Sequence, residues 1–581
     1  MKYNPIIPTT YPLNNCILNT GQGEEEKMHR LYRRVALMCA VLLAVSFSGF
    51  HTTSAIAMGS AEAAFVHAEG RMLVLRGEPY LIKGMAMGND VWSNPTSAPV
   101  GDHDESSYQE LSALGFNSVR FYLNYALFED DANPYQYRQE GFNWLDQNIA
   151  WAKKHGIRLI LNMHYPQGGY QSQGNGDSLW TDTENQMRLI ALWTTIAERY
   201  ADEETIIGYG LVNEPFPVGR TDARDGLLVW QELAQEITDS IRLVDSNHVI
   251  FVEKALGVKD PRTGIADWSL PDAEMFITIR DTNVVYEFHT YAPFNFTHQG
   301  FDWAGTRDIV SFYPNDDSYI SGASWLSFNA SDRAKTDSTG WQFLRSDPIT
   351  IADRNANAVA FCFQAAGIGT DGIVYADDLY IEVLDENGET IRRIPCETED
   401  YHGDFSFWTQ NGEGEGSASD RTGFGDRHSL CIRGTTGDAN LTLIRMEHTA
   451  GYQYRVSGYV KVESTAASAV IRLRLDAFDA QDIVTGSRNL LLQSVDSALS
   501  LSEQANCPVY CGEFGAGIHC FEQNRGGELW VAEYISILKE HNISFNYHLY
   551  YDGSFGLYYD LNGRRVRNDL LWQVFRDMIV D

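Results

Sequence analysis

The sequence predicts an α/β fold: an eight-stranded (β/α)8 barrel of the TIM type, interrupted after its sixth strand by an all-β sandwich. Three observations predict it. Short β-branched runs alternate with amphipathic helical stretches from about residue 80 to 290. That rhythm stops near Gly300 and returns near Leu490. Between those points, apolar and polar residues alternate in strand fashion, punctuated by Gly, Asp, Asn and Ser. Strand–helix repeats call for parallel strands joined by crossover helices, whereas many short strands divided by turn residues call for a sandwich.

The candidate barrel strands are Tyr80–Met85, Ser118–Leu123, Arg158–Met163, Ile207–Asn213, His248–Glu253 and Asn283–His289, then Val509–Phe514 and Ile543–Tyr550 after the interruption. Candidate helices are Phe142–His155, Thr183–Tyr200, Gly226–Leu243, Leu490–Gln504, Glu528–His541 and Leu570–Ile579. Within Thr183–Tyr200 the apolar face is read as Met187, Ile190, Leu192, Ile196 and Ala197. Setting aside 301–489 leaves about 320 residues, within the range of such barrels, which are typically about 250 and reach more than 400. The expected organisation is a leader over 1–57, a first barrel part over 64–300, the inserted sandwich over 301–489 and a second barrel part over 490–581. In the insert, Tyr452–Val462 and Ala469–Ala477 read as strands.

The leader follows the order of a secretory signal peptide. Met28 is a candidate start, Arg30, Arg33 and Arg34 are basic, Val35 to Phe47 is almost wholly apolar, and Ala55-Ile56-Ala57 is a small-residue cleavage site. About 13 apolar residues fall short of the roughly 20 that span a bilayer. The expectation is a secreted protein, extracellular or periplasmic, with no membrane contact after cleavage; an uncleaved anchor is the alternative. Cys16 and Cys39 lie in the leader. Cys362, Cys396, Cys431, Cys507, Cys511 and Cys520 show no zinc-site spacing; they read as buried thiols, with one or two disulfides as the alternative.

Composition narrows the ligand. Asp and Glu number 78 against 44 Lys and Arg, a net charge of −34 over 581 residues. That excess argues against nucleic acid, whose phosphates need cationic side chains, and against polyanionic substrates. With 13 Trp and 30 Tyr, flat neutral ligands that stack on rings are suited.

In a (β/α) barrel the chemistry sits where strands end. Strand 2 ends at or beyond Arg120, strand 3 with Asn162-Met163-His164, strand 4 with Asn213-Glu214-Pro215, strand 6 with Glu287-Phe288-His289-Thr290-Tyr291, and strand 7 with Gly512-Glu513-Phe514. Glu214 and Glu513 therefore face one another across the barrel mouth. Two facing carboxylates are what glycoside hydrolysis requires, one to protonate the leaving oxygen and one to attack the anomeric carbon. Asn213 suits a donor to a sugar 2-hydroxyl. Arg120 would keep Glu513 ionised. His289 and Tyr291 would orient the pair, and Trp303 is a candidate stacking ring.

These residues resemble a known family. Asn162-Met163-His164 with Gly168-Gly169, Gly208-Tyr209-Gly210-Leu211-Val212-Asn213-Glu214-Pro215, His289-Thr290-Tyr291, Phe296-Thr297-His298-Gln299-Gly300 and Gly512-Glu513-Phe514-Gly515 look like the cellulase family, glycoside hydrolase family 5 of clan A. The resemblance implies a retaining mechanism with Glu214 as acid/base and Glu513 as nucleophile. It implies that Arg120, His164, Asn213, His289 and Tyr291 line the −1 subsite. The family's usual Trp at the end of strand 8 is missing; His548 or Tyr550 takes its place.

In the insert, Arg427 to Ile432 and Ala450 to Val460 look like the first half of a jelly-roll carbohydrate-binding module of families 4, 9 and 22. Thr339 to Gln342 and Ile373 to Ile381 look like the second half, in reversed order, implying a circular permutation. Trp341 and Trp408 are its candidate platform. Asp377 and Asp378 are candidates for a structural calcium, while catalysis needs no cofactor and no metal.

The expected function is a secreted endo-β-1,4-glucanase (a cellulase) acting on a neutral β-glycan, as a monomer. The alternatives are a β-mannanase, a xyloglucanase or an exo-acting β-glycosidase, and, from another class, a non-catalytic carbohydrate-binding protein.

Overall fold

The computed structural model describes residues 65–580 except 94, 268–269, 308, 315–317, 398–404 and 420. The expected leader, with Cys16 and Cys39, lies outside the described residues. Eight parallel strands close a barrel: β1 (Lys83–Met87), β2 (Ser118–Asn124), β3 (Arg158–Tyr165), β4 (Ile206–Gly210), β5 (Val249–Glu253), β6 (Val284–Thr290), β7 (Val509–Phe514) and β8 (Ser544–Tyr547). They pair in sequence order, and β8 returns to β1. The connection from β5 to β6 carries a 3-10 turn, Asp272–Met275, where the other crossovers carry helices. Gly257, Gly264, Pro261 and Pro271 break that stretch, and Pro and Gly are the residues a helix interior tolerates least.

Helices α1 (Glu105–Ala113), α2 (Gln139–Lys154), α3 (Thr183–Tyr200), α4 (Gly226–Arg242), α5 (Ser487–Ala505), α6 (Gly527–Glu540) and α7 (Asp569–Met578) form the outer ring. In α3, Asp182 caps the first turn by accepting from the Glu184 N–H at 3.0 Å. Its buried stripe is Leu189, Leu192, Trp193, Ile196, Ala197 and Tyr200. The expected face is therefore rotated: Met187 is exposed and Ile190 only half-buried. Trp193, Trp230 and Trp530 are fully buried, one each on α3, α4 and α6. Their indole N–H groups donate, each at 3.0 Å, to the carbonyls of Leu211, Glu253 and Ala292. Buried indoles need such partners, and here the partners are the backbone at the carboxyl ends of β4, β5 and β6. The helices thus pin the rim that carries the chemistry.

The barrel floor is apolar: Ile82, Ile160, Ile207, Val249, Phe251, Val285 and Tyr510 cluster with Leu73 from an N-terminal sheet and with Val66 just before it. Because strand side chains alternate, inward positions then recur every second residue toward the mouth.

Between β6 and α5 the chain forms two antiparallel sheets with a shared core that includes Val359, Phe361, Val374, Ile381, Leu441 and Leu473. One sheet has five strands, with Ser324–Ala330 and Ser406–Thr409 at its edges. The other has seven strands, built around Ile373–Leu384 and Gln453–Ser464. The chain enters and leaves through a two-stranded ribbon, Ser318–Ser321 against Asp482–Thr485. Cys362, Cys396, Cys431, Cys507, Cys511 and Cys520 are all buried, and none of them forms a disulfide.

Candidate active site

Glu513 is the last residue but one of β7 and is 4% exposed. Arg120, fully buried on β2, places Nη1 at 2.6 Å from Glu513 Oε1. Tyr122, the next inward residue of β2, donates its hydroxyl to the same oxygen at 2.7 Å. Tyr291 donates to Oε2 at 2.9 Å. Burial alone would raise the Glu513 carboxyl, but the charges beside it, His289 first and then Arg120, hold it well below the usual carboxylate range. It is an ionised group fixed at both oxygens.

Glu214 follows β4. Its φ is +43°, a left-handed conformation that non-glycine residues rarely adopt and that often marks functional positions. Its Oε1 lies 3.0 Å from His289 Nδ1. One oxygen of Glu214, one oxygen of Glu513 and a His289 nitrogen lie within 4.8 Å of one another. Asn213 accepts from Arg120 Nη2 at 3.0 Å, which turns its amide nitrogen outward to Ser172 Oγ at 3.2 Å.

His164 stacks on Tyr122 with ring centroids 3.9 Å apart. Burial pulls its pKa well below that of an ordinary imidazole, so the ring is neutral. Of the two strand-8 candidates, His548 faces the site: its Nδ1 lies 2.9 Å from the Tyr122 hydroxyl and 3.6 Å from Glu513 Oε2. Tyr550 turns away to donate to Glu110. Seven of the predicted residues (Glu214, Glu513, Arg120, His164, Asn213, His289 and His548) thus converge, with Tyr291 as an eighth. Trp303 does not join them. It is 57% exposed and stacks on Phe301, separated from Tyr291 and His548 by the Phe555 ring.

Four residues of the site escaped the sequence reading. Tyr122 is one. Trp92, from the loop after β1, sets its ring edge-on to Tyr122, His164 and His548 at 5.7 to 6.3 Å. It also lines a cavity of about 170 Å³ with Asp90, Tyr551 and Asp552. Glu253 and Glu287 are buried one layer below the mouth. Glu287 Oε1 lies 2.7 Å from Arg120 Nη2, and Glu253 Oε2 lies 3.5 Å from it. The Arg120 guanidinium supplies the positive charge these oxygens face.

In the insert, Trp341 stands just before Gln342–Arg345, a strand of the seven-stranded sheet, whereas Trp408 lies on the five-stranded sheet. Trp341 sits against Phe424, which stacks on Tyr459 of the seven-stranded sheet. Trp408 pairs across from Asn440 on one edge of the five-stranded sheet, and Trp325 and Phe328 lie on its opposite edge. Asp377 Oδ1 accepts the Asp378 N–H at 2.7 Å, and Glu397 Oε2 accepts the same N–H at 2.9 Å. Burial pushes Glu397 up to about 10, so its retained proton bridges to Asp377.

The chain matches the Cellulase family, glycosyl hydrolase family 5, over residues 74–334. That span contains Arg120, His164, Glu214, His289 and Tyr291 and ends before Glu513. Endoglucanase C of Acetivibrio thermocellus is 29% identical over 201 residues, covering 34% of this chain and 53% of the relative. A protein named Beta-xylosidase from Phanerodontia chrysosporium is 34% identical over 193 residues, covering 32% and 37%. The chain therefore spans about half the length of the first of these relatives, and less of the second. Thermotoga maritima Cel5A, solved with cellobiose, aligns over 85% of this chain and 97% of its own at a TM-score of 0.45 and 16% identity.

Proposed function

We propose that this chain, a glycoside hydrolase of the cellulase family by its match over residues 74–334, cleaves internal β-1,4 bonds of a neutral glycan by double displacement, as an endo-β-1,4-glucanase. The approach of Glu214 and Glu513 within 4.8 Å carries this reading. Carboxyl groups about 5–5.5 Å apart suit direct attack, whereas inversion needs a wider gap that admits water.

In the first step Glu513 attacks the anomeric carbon as the bond to the leaving oxygen breaks, and Glu214 gives its proton to that oxygen. In the second, the Glu214 carboxylate takes a proton from water, which attacks the same carbon and releases Glu513. Arg120, Tyr122 and Tyr291 hold the nucleophile so that one geometry is presented. The outward amide nitrogen of Asn213 donates to the sugar 2-hydroxyl. Trp92 offers a ring face to a neighbouring sugar. The freshly released hemiacetal is expected to be the β-anomer. Proton NMR of early product from a soluble β-glucan checks this; an initial α-anomer would mean inversion and would sink the assignment.

A second reading, exo action at a chain end, is favoured by the relative named Beta-xylosidase. The product profile from defined oligosaccharides separates the two. Internal cuts give mixed lengths from the outset, and end-wise cuts release one short product.

The insert is proposed to bind the same glycan on the outer face of its five-stranded sheet. Trp325 and Trp408, each about half exposed at opposite edges, flank a polar strip of Gln364, Asn440, Arg474 and Asp476, whose side chains are themselves mostly covered. Stacking rings beside hydrogen-bonding groups are what a sugar chain requires. Trp325→Ala with Trp408→Ala in the whole chain is expected to reduce retention on insoluble β-glycan about tenfold or more, at roughly 1 kcal/mol per lost ring. Activity on a soluble oligosaccharide should be unchanged. Undiminished retention would leave the insert without this role. Export by the leader completes the proposal, because a polysaccharide substrate lies outside the cell.

A further inference from the structure

Beneath the two carboxylates of the mouth lie two more. Glu253 is 3% exposed and Glu287 fully buried. Both face the far nitrogen of the ring that touches Glu214: His289 Nε2 lies 3.3 Å from Glu253 Oε1 and 3.4 Å from Glu287 Oε1. The other nitrogen, Nδ1, lies 3.0 Å from Glu214 Oε1 and 3.7 Å from Glu513 Oε2. The chain Glu253/Glu287–His289–Glu214 is continuous from the barrel interior to the reacting bond.

We propose that Glu253 and Glu287 are positioning residues that act through His289. They keep a proton on its Nε2 and so present Nδ1 to Glu214 as the partner that shares the acid/base proton. The inference rests on the reading of Glu214 as that acid/base.

The charge balance calls for a retained proton, even with Arg120 Nη2 3.4 Å from the same ring nitrogen. Four carboxylates (Glu214, Glu253, Glu287 and Glu513) face one permanent cation, Arg120. Buried charges without a counter-charge are costly, so protons must stay in the cluster. The other groups packed around His289 cannot hold them. His164 from β3 and His548 from β8 are driven neutral by burial. Tyr122, Tyr291 and Tyr510 keep their hydroxyl protons, all raised well above the usual range, first by burial. Asn213 does not titrate. His289 is the exception: burial opposes its charge, but Glu253, Glu513, Glu214 and Glu287 together raise its affinity for a proton well above that of a free imidazole. Glu253 is itself pushed up, first by burial. The surplus proton is shared between these two.

Proton bookkeeping through the reaction then closes. When Glu214 gives its proton to the leaving oxygen, the proton on Nε2 remains with Glu253 and Glu287. Nδ1 is left beside the new Glu214 carboxylate, and the proton taken from water in the second step restores the pair.

The experiment compares pH profiles of kcat/KM for wild type, Glu253→Gln and Glu287→Gln. Two substrates are used: a soluble β-glucan and an aryl β-glycoside whose phenol leaves without protonation. Each substitution removes one carboxyl group that faces His289 Nε2 and so weakens the hold of the His289–Glu214 pair on its proton. On the glucan the basic limb is expected to move down by about one pH unit. On the aryl substrate it should stay in place. A uniform loss of rate with unmoved limbs would mean a purely structural role and would overturn the proposal. If either variant fails to fold, ¹⁵N NMR of His289 in the wild type decides: Nε2 should stay protonated from pH 5 to 8, and loss of that proton within the range overturns the proposal. Glu214→Ala is run alongside. If it hydrolyses glucan as well as wild type, the acid/base reading itself fails; if it does not and the limbs stay unmoved, only the present inference fails.

Discussion

Replacing Glu513 by Ala is expected to lower kcat on soluble β-glucan by roughly four orders of magnitude or more, the scale seen when a covalent nucleophile is removed. The geometry explains why nothing nearby can substitute. Both Glu513 oxygens are fixed by Arg120, Tyr122 and Tyr291. The nearest other carboxylate at the mouth, Glu214, is held by His289 on the opposite side. Glu253 and Glu287 lie a layer too deep to reach a sugar. Glu214→Ala should behave differently. It loses glucan hydrolysis, whose leaving sugar oxygen needs a proton, but retains a fast first turnover of an aryl glycoside with an acidic phenol. Added azide sharpens the contrast. In Glu214→Ala it attacks the glycosyl-enzyme and gives the β-azide, and in Glu513→Ala it fills the vacated space and gives the α-azide. Reducing-sugar release and product NMR read both variants, with circular dichroism to show that each is folded. Wild-type rates in Glu513→Ala would end the assignment.

The barrel was legible because each strand is a short, nearly unbroken apolar run, which is how a strand buried on both faces reads. The ends were harder to place. Tyr80–Met85 became Lys83–Met87, and Ile543–Tyr550 shortened to Ser544–Tyr547, because pairing with the neighbouring strand, not local composition, decides where a ladder stops. At the site, the strand termini pointed to Glu214, Glu513, Arg120 and His289. The missed residues obey a rule available from the sequence, namely that inward positions recur every second residue. Tyr122 follows Arg120 by two, Glu287 precedes His289 by two, and Glu253 closes β5. Trp92 and the true location of Trp303 were not readable, since loops place them. Trp325 was missed for a similar reason: its strand finds its partner, Val470–Asp479, almost 150 residues later.

Gly512→Ala is the second large effect expected, and it tests the buried layer directly. A methyl group at 512 would lie 1.7 Å from Glu287 Oε1 and 2.5 Å from its Cδ. The Glu287 carboxylate cannot simply step aside. It is fully buried and bound to Arg120 at 2.7 Å, and its neighbours across the barrel interior include Glu253, which repels it. The methyl therefore either forces β7 away from β6 or breaks the Arg120–Glu287 pair. Breaking a buried ion pair typically costs about 3–5 kcal/mol, because the remaining charge is stranded. The cost should fall on activity as well, since Arg120 also holds Glu513. A double-mutant cycle isolates the cause. Glu287→Ala alone should destabilise the protein, but in the Gly512→Ala background it should be neutral or stabilising, because it removes the atoms that the methyl strikes. Contacting residues of this kind show interaction energies of about 0.5–3 kcal/mol. Urea-unfolding midpoints of the four proteins measure it, and strict additivity would mean that the methyl is accommodated elsewhere and that Glu287 does not set the glycine at 512.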